Sequence, residues 1–155
     1  MRAGDSPARR TPGGLVVVDT NVVVAGLLTR EPGAPTAAIL DAMLGGELRF
    51  LLSEELLAEY RSVLLRPKIA EAHGLLPSEV DEILIRLASH GIVREPDGAP
   101  IGTAGDGHLV ALLESVPASV LVSGDARLLR KVAPRGRTPR EFAEADSTLG
   151  RMSSS

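Results

Sequence analysis

The chain of 155 residues has a hydrophobic content of 44%, an aromatic content of only 2%, no cysteine and a formal net charge of −3. These values predict one domain with an aliphatic core; they exclude disulfides and thiolate metal sites, and they argue against RNA recognition by base stacking on aromatic side chains. No apolar stretch is long enough to span a bilayer and no apolar signal core follows the N-terminal arginines, so we predict a cytoplasmic protein with no membrane partner.

The first predicted element is the strand around which the rest of the chain is organised. Residues 15–18 are a continuous apolar run, which is typical of a strand buried on both faces, and Asp19 ends it. Because ligands bind beyond the carboxyl ends of strands in open α/β sheets, Asp19 is a candidate site residue. Aspartate is also a preferred N-cap, so Asp19 is equally well interpreted as the cap of a helix that begins near Val22.

The remaining predicted elements alternate between strands and helices. Short apolar runs predict further strands at 48–52, 92–93 and 120–122. Apolar residues at helical spacing, with Thr36, Ser53 and Asp106 at the starts of three of the helices, predict helices over about 22–28, 36–44, 54–64, 77–90, 106–116, 126–132 and 139–145. The Gly- and Pro-rich segment 96–105 is predicted to be a loop. This order predicts a parallel sheet covered by helices on both faces.

Four acidic residues are placed by this order at one edge of the sheet. Asp19 and Asp125 each follow an apolar strand, while Glu59 and Asp106 lie on or beside the buried side of helices that begin near the same edge. Clustered carboxylates suit Mg²⁺ or Mn²⁺, which activate water and bind the oxygens of a phosphodiester. Singly, each aspartate could be a helix N-cap and Glu59 a surface salt-bridge residue. Capping explains neither Glu59 nor the gathering of the acids.

Other polar residues near this edge have weaker signals. Asn21 and Ser123 are candidate second-layer donors that orient the carboxylates, although ordinary turn hydrogen bonds account for them equally well. The three histidines have no zinc-site spacing, and we interpret His108 as structural rather than as a metal ligand.

Several of these motifs, in this order and spacing, resemble the PIN-domain family, and more narrowly the PIN-type toxins of bacterial toxin–antitoxin pairs. The likeness covers about residues 15–145. The matching pieces are Val18-Asp19-Thr20-Asn21-Val22, the run from Ser53 to Tyr60, Arg66-Pro67-Lys68, Asp106 before a leucine-rich helix, Ser123-Gly124-Asp125, and Thr138-Pro139-Arg140-Glu141-Phe142.

The resemblance implies a three-layer α/β/α fold with a central parallel sheet and Mg²⁺- or Mn²⁺-dependent endonucleolytic cleavage of RNA. The acidic quartet of the family maps onto Asp19, Glu59, Asp106 and Asp125. A cognate antitoxin protein and a homodimer are also implied. We accordingly predict a PIN-like nuclease domain over 15–146, between a disordered leader over 1–14 and a disordered tail over 147–155.

A basic segment follows the last of these acids. From Arg127 to Arg140 the chain holds six basic residues and no acid, and such a run is most often a solvated face. Beside clustered carboxylates, however, positive groups would counter the repulsion of a phosphate chain. Arg127, Arg130 and Lys131 are therefore candidate contacts to the RNA backbone that do not read bases.

Two departures from the family pattern, and two alternatives, stay open. Asp106 stands between glycines where relatives often carry several acids, and the last strand, usually apolar, is the irregular run 133–137. The first departure favours a catalytically weak PIN-fold binding module. The second alternative, a haloacid-dehalogenase-like phosphatase, would use Asp19 as nucleophile with Ser53 and Asp125, but it requires an acid where Asn21 stands.

Overall fold

The computed structural model describes residues 14–96 and 106–145, in which strands and helices alternate along the chain. The strands are β1 Val16–Val18, β2 Leu51–Leu52, β3 Ile92–Val93, β4 Val120–Val122 and β5 Gly136–Arg137. The helices are α1 Thr20–Leu28, α2 Pro35–Gly45, α3 Glu54–Leu64, α4 Pro67–His73, α5 Pro77–His90, α6 Gly107–Glu114, α7 Ala126–Lys131 and α8 Pro139–Ala145. None of these helices has the length and apolar character needed to cross a membrane. The predicted tail, nearly all of the predicted leader and most of the predicted loop at 96–105 lie outside the described residues, so the domain boundaries stay a prediction.

The strand pairs are parallel, with β1 in the middle. β1 pairs with β4, Val18 lying opposite Val122, and β4 pairs with β5 on its other side. β2 pairs with β3, and a parallel bridge between Val16 and Phe50 joins these two strands to β1. The strand order across the described residues is therefore β3-β2-β1-β4-β5, which brings the carboxyl ends of β1 and β4 side by side.

The two central strands are buried on both faces. Val16, Val17 and Val18 are each 0% exposed, although successive side chains of a strand point to opposite faces. Helices therefore cover both sides of the sheet. This confirms the predicted three-layer α/β/α fold. Around this core α1 packs against α2 and α3, and α3 also packs against α5 and α6.

Three predicted element boundaries are wrong for reasons visible in the structure. α1 begins at Thr20 rather than near Val22, because Asp19 is its N-cap. α2 begins at Pro35 after Ala34, so Thr36 lies inside the helix and does not cap it. The strand predicted over 48–52 is reduced to Leu51–Leu52, because Phe50 before it forms only a single bridge, with Val16.

One helix was not predicted at all. Arg66-Pro67 interrupts α3 as the sequence indicates, but Pro67 is the first residue of α4. Proline is favoured at this position, where its missing N–H would have no partner inside the helix. The residue that ends one helix pattern therefore starts the next.

Candidate active site

The carboxyl ends of β1 and β4 border one cleft of about 540 Å³. Asp19 leaves β1 and Asp125 follows β4, and the Asp19 backbone N–H donates to the Val122 carbonyl oxygen at 2.9 Å. Glu59 from α3 and Asp106 at the start of α6 line the same cleft. The four acids that the sequence placed at one sheet edge thus share a single cavity.

Asp19 is the most buried of the four acids, with 7% of its surface exposed. Its Oδ1 accepts from the Thr20 backbone N–H at 2.7 Å, and its Oδ2 accepts from Ser123 Oγ at 2.7 Å. Burial raises the pKa of Asp19; the hydrogen bonds from Ser123 and Thr20 oppose the rise, and the charges of Glu59 and Asp106 add to it. The carboxylate is fixed by donors and repelled by its acidic neighbours.

Asn21 and Ser123 join the two strand ends through Asp19. Asn21 Nδ2 donates to Asp19 Oδ2 at 3.2 Å, and Asn21 Oδ1 accepts from the Gly124 backbone N–H at 3.1 Å. Ser123 Oγ accepts from the Asp125 backbone N–H at 2.9 Å while it donates to Asp19. Each side chain therefore contacts the Asp19 carboxylate and also bonds the turn that leads to Asp125.

Glu59 is held between two protein donors. Thr20 Oγ1 donates to Glu59 Oε2 at 2.5 Å, and His108 Nε2 lies 2.6 Å from Glu59 Oε1. The next residue, Tyr60, is fully buried and donates from its hydroxyl to the Val18 carbonyl oxygen at 2.6 Å. Burial raises the pKa of Tyr60, so its hydroxyl remains a donor. The Tyr60 hydrogen bond therefore connects α3 to β1 next to both Glu59 and Asp19.

Asp106 and Asp125 both precede helices, but their carboxylates differ in what they contact. Asp125 Oδ1 accepts from the backbone N–H groups of Arg127 and Leu128, at 3.0 and 3.3 Å, so it caps α7. The Asp106 side chain makes no capping hydrogen bond to α6 within the described residues. Its Oδ2 lies 4.0 Å from Lys131 Nζ. The capping interpretation accounts for Asp125 but not for Asp106.

These acids lie within a segment that matches a known family. The family model described as PIN domain matches residues 15–127, a range that contains all four carboxylates. The chain belongs to the PIN-domain family. PIN domains are generally metal-dependent nucleases, and this family assignment indicates a nuclease with a nucleic-acid substrate. No curated protein matches the chain.

The PIN-domain match decides against the dehalogenase-like alternative. That alternative needs Ser53 at the site, whereas Ser53 is 4% exposed and its Oγ accepts from the Leu56 backbone N–H at 3.0 Å as the N-cap of α3. The predicted cap is confirmed, and Ser53 is not among the residues that line the cleft.

The carboxylates of this PIN domain fit a hard divalent cation in type and location. Within residues 14–96 and 106–145, no three acidic or histidine side chains stand close enough together to hold one ion. Glu59 and Asp125 each accept hydrogen bonds from protein donors, and these bonds leave acceptor positions free on both carboxylates. The donor set is nevertheless all oxygen, and a cation would relieve the repulsion that raises the pKa of Asp19.

The basic residues of the PIN domain differ in where they lie relative to the cleft. Arg127 and Arg130 are exposed on α7 and do not line the cleft, whereas Lys131 approaches Asp106. Arg66, at the start of α4, is the described basic residue that lines the cleft itself. Positive groups therefore lie at the cleft on two elements, α4 and α7.

Arg135 corrects the interpretation of this basic run as a solvated face. Its Nη2 donates to the carbonyl oxygens of Leu113 and Val116 at 2.7 and 2.9 Å, and its Nε donates to that of Ser119 at 3.0 Å. These carbonyls belong to the end of α6 and the turn before β4. Arg135 is thus a C-terminal cap of α6.

The contact between His108 and Glu59 was missed from the sequence. His108 lies four residues before Leu112, which places both on one face of α6, and both are buried. A polar residue on an apolar helical face was the available signal. The hydrogen-bond partner of His108 could not be predicted from the sequence, because Glu59 lies 49 residues away in the chain.

Proposed function

We propose that this PIN-domain protein is a Mg²⁺- or Mn²⁺-dependent endoribonuclease and the toxin component of a toxin–antitoxin pair. The observation that carries the proposal is the shared cleft of Asp19, Glu59, Asp106 and Asp125, with Asp19 buried and repelled by two of the others. The finer assignment to RNA, with a cognate antitoxin and a homodimer as partners, rests on the resemblance of the motifs around Asp19, Glu59 and Asp125 to PIN-type toxins.

Each acid has a distinct role in this proposal. Asp19 and Asp106 are principal metal ligands, Asp125 is a ligand directly or through water, and Glu59 either binds the metal or positions the attacking water. When bound, the cation supplies a lowered pKa for that water and neutralises charge on the phosphodiester. Ser123 and Asn21 hold Asp19 in one orientation by donating to Oδ2.

The backbone of the RNA is proposed to follow the basic groups within and beside the cleft. Arg127, Arg130 and Lys131 on α7 would hold phosphates from one side, and Arg66 on α4 from the other. Phosphate contacts of this kind position a strand without reading its sequence. They would also offset the repulsion between the RNA and the four carboxylates.

A cleavage assay on short single-stranded RNAs tests the proposal. We expect internal cuts with Mn²⁺ or Mg²⁺, none with EDTA, and none with Asp19→Asn. Asp41→Asn is the matched control, since Asp41 is exposed on α2 and does not line the cleft. Cleavage that survives EDTA or Asp19→Asn would contradict the assigned site. Binding of RNA without any cleavage would favour the catalytically weak binding module.

A further inference from the structure

His108 occupies a position at which an apolar residue would normally stand. It is 7% exposed on the buried face of α6, one turn before the core residue Leu112. Its Nε2 lies 2.6 Å from Glu59 Oε1. The ring thus connects a core helix to one of the four cleft carboxylates.

The other ring nitrogen argues against a role of this histidine in packing alone. An ionised carboxylate only accepts hydrogen bonds, so Nε2 carries the proton in this contact. His108 Nδ1 is buried and has no hydrogen-bond partner among the described residues. A buried polar atom without a partner disfavours folding, and such atoms are rare in native cores unless another role retains them.

The contact restricts Glu59 while leaving its carboxylate able to bind. Glu59 has three rotatable side-chain torsions and a side chain that is 34% exposed in the cleft. His108 holds one oxygen and the Thr20 hydroxyl holds the other. Since an ionised carboxylate offers about four acceptor positions, roughly two remain for a cation or a water.

We propose that His108 is a positioning residue: by donating from Nε2, together with the Thr20 hydroxyl, it fixes the Glu59 carboxylate for metal or water binding in the cleft. The proposal rests on the proposed function in one respect, namely that Glu59 belongs to a metal site. His108 itself contacts neither substrate nor metal, and it acts through Glu59.

Mn²⁺ affinity of the 155-residue chain, measured by calorimetry or by electron paramagnetic resonance, gives a readout besides activity. We expect His108→Leu to weaken Mn²⁺ binding about 10- to 100-fold, the usual effect of removing a partner of a metal ligand. His108→Gln should recover much of the affinity, because its amide can donate from a similar position. Without metal, the melting temperature of His108→Leu should change little, because removal of the unpaired Nδ1 offsets loss of the hydrogen bond to Glu59.

The matched control is His73→Leu. Both ring nitrogens of His73 bond the backbone, Nε2 with the Leu64 carbonyl oxygen and Nδ1 with the Leu75 N–H. Removal of these bonds should lower the melting temperature and leave Mn²⁺ affinity unchanged. The same pattern in His108→Leu, or wild-type affinity in that variant, would overturn the positioning role.

A double-mutant cycle isolates the route through Glu59. In a Glu59→Gln background, His108→Leu should change Mn²⁺ affinity less than about 2-fold, because coupled residues are not additive. Full additivity would show that His108 acts independently of Glu59. If His108→Leu does not fold, the cycle is run with His108→Phe, which keeps a ring but has no nitrogen donor. Wild type that binds Mn²⁺ and cuts RNA, with no His108 effect, refutes this proposal alone; wild type that does neither refutes the proposed function as well.

Discussion

Asp106 and Asp125 both stand before helices at the cleft, and their carboxylates have two different roles. Asp125 accepts from two backbone N–H groups of α7, so its carboxylate satisfies donors that the helix cannot. Asp106 makes no such bond within the described residues, and its charge instead raises the pKa of Asp19. Position before a helix therefore does not by itself define a cap.

This difference predicts opposite effects of alanine substitution on stability. Asp125→Ala should lower the free energy of unfolding by about 1 kcal/mol through removal of the cap. Asp106→Ala should leave the metal-free protein as stable or slightly more stable, because it removes a repulsive charge, and should abolish cleavage. Urea unfolding in EDTA measures the first effect, and the RNA assay measures the second. Clear destabilisation by Asp106→Ala with retained activity would assign Asp106 a structural role only.

At the same scale, sequence reasoning reached some residues and not others for a physical reason. Asp19 and Asp125 could be placed because each lies just beyond the end of a strand, and Glu59 because helical spacing fixes its face. The contacts of His108 and Arg135 depend on how elements pack in three dimensions: Glu59 is brought to His108 by the packing of α3 against α6. Arg135 similarly meets carbonyl groups up to 22 residues earlier in the chain.

At the scale of elements, α7 carries exposed basic residues beside an acidic site. Leu128 is buried under this helix while Arg127 and Arg130 face solvent.

The last strand, β5, is only Gly136–Arg137, which agrees with the irregular sequence there. α4 was not predicted because a proline such as Pro67 is typical both of the end of one helix and of the first residue of another. Sequence rules therefore place a helix or strand reliably where a residue has only one structural interpretation.

The exposed face of α7 predicts a salt-dependent effect. Arg127→Ala combined with Arg130→Ala should weaken RNA binding similarly for all sequences. The slope of log K against log salt should become shallower by about 0.7 for each phosphate of a single strand that the variant no longer neutralises. Arg49→Ala with Arg86→Ala is the matched control, since both residues are exposed and neither lines the cleft. An unchanged slope in the α7 variant would identify α7 as a solvated face and direct attention to Arg66.

At the scale of the whole molecule, the cleft draws its carboxylates from distant parts of the chain. Asp19 follows the central strand, Glu59 lies on α3, Asp106 precedes α6, and Asp125 precedes α7. A cation bound by these residues would connect elements that already meet through the apolar core and through side-chain hydrogen bonds. Metal binding should therefore be visible in global stability.

The corresponding prediction is a metal-dependent melting temperature. Mn²⁺ at about 100 times its Kd should stabilise the native state by about 2.7 kcal/mol, which is on the order of 5–10 °C for a chain of this size. Asp19→Asn should reduce this shift, as measured by calorimetry or dye fluorescence. A shift of equal size in the variant would show that Asp19 is not a ligand.

The metal-free protein provides the control for this prediction. The direction in which its stability changes with pH follows from the raised pKa of Asp19. Because the folded state raises this pKa, the native protein holds the proton more tightly than the unfolded chain, and stability falls as pH rises and Asp19 ionises. In EDTA, Asp19→Asn should therefore be at least as stable as wild type at neutral pH. The difference should shrink as pH falls and Asp19 becomes protonated.

The bond between the Tyr60 hydroxyl and the Val18 carbonyl joins the immediate chain neighbours of Glu59 and Asp19. Tyr60 is 0% exposed, so this link belongs to the interior and presents nothing to a substrate. It nevertheless links the two chain segments that carry the carboxylates of Glu59 and Asp19. Tyr60→Phe removes only this hydroxyl oxygen, and we expect it to alter the chemistry of the cleft although Tyr60 does not line it. A set of variants limited to the residues that line the cleft would not include this one.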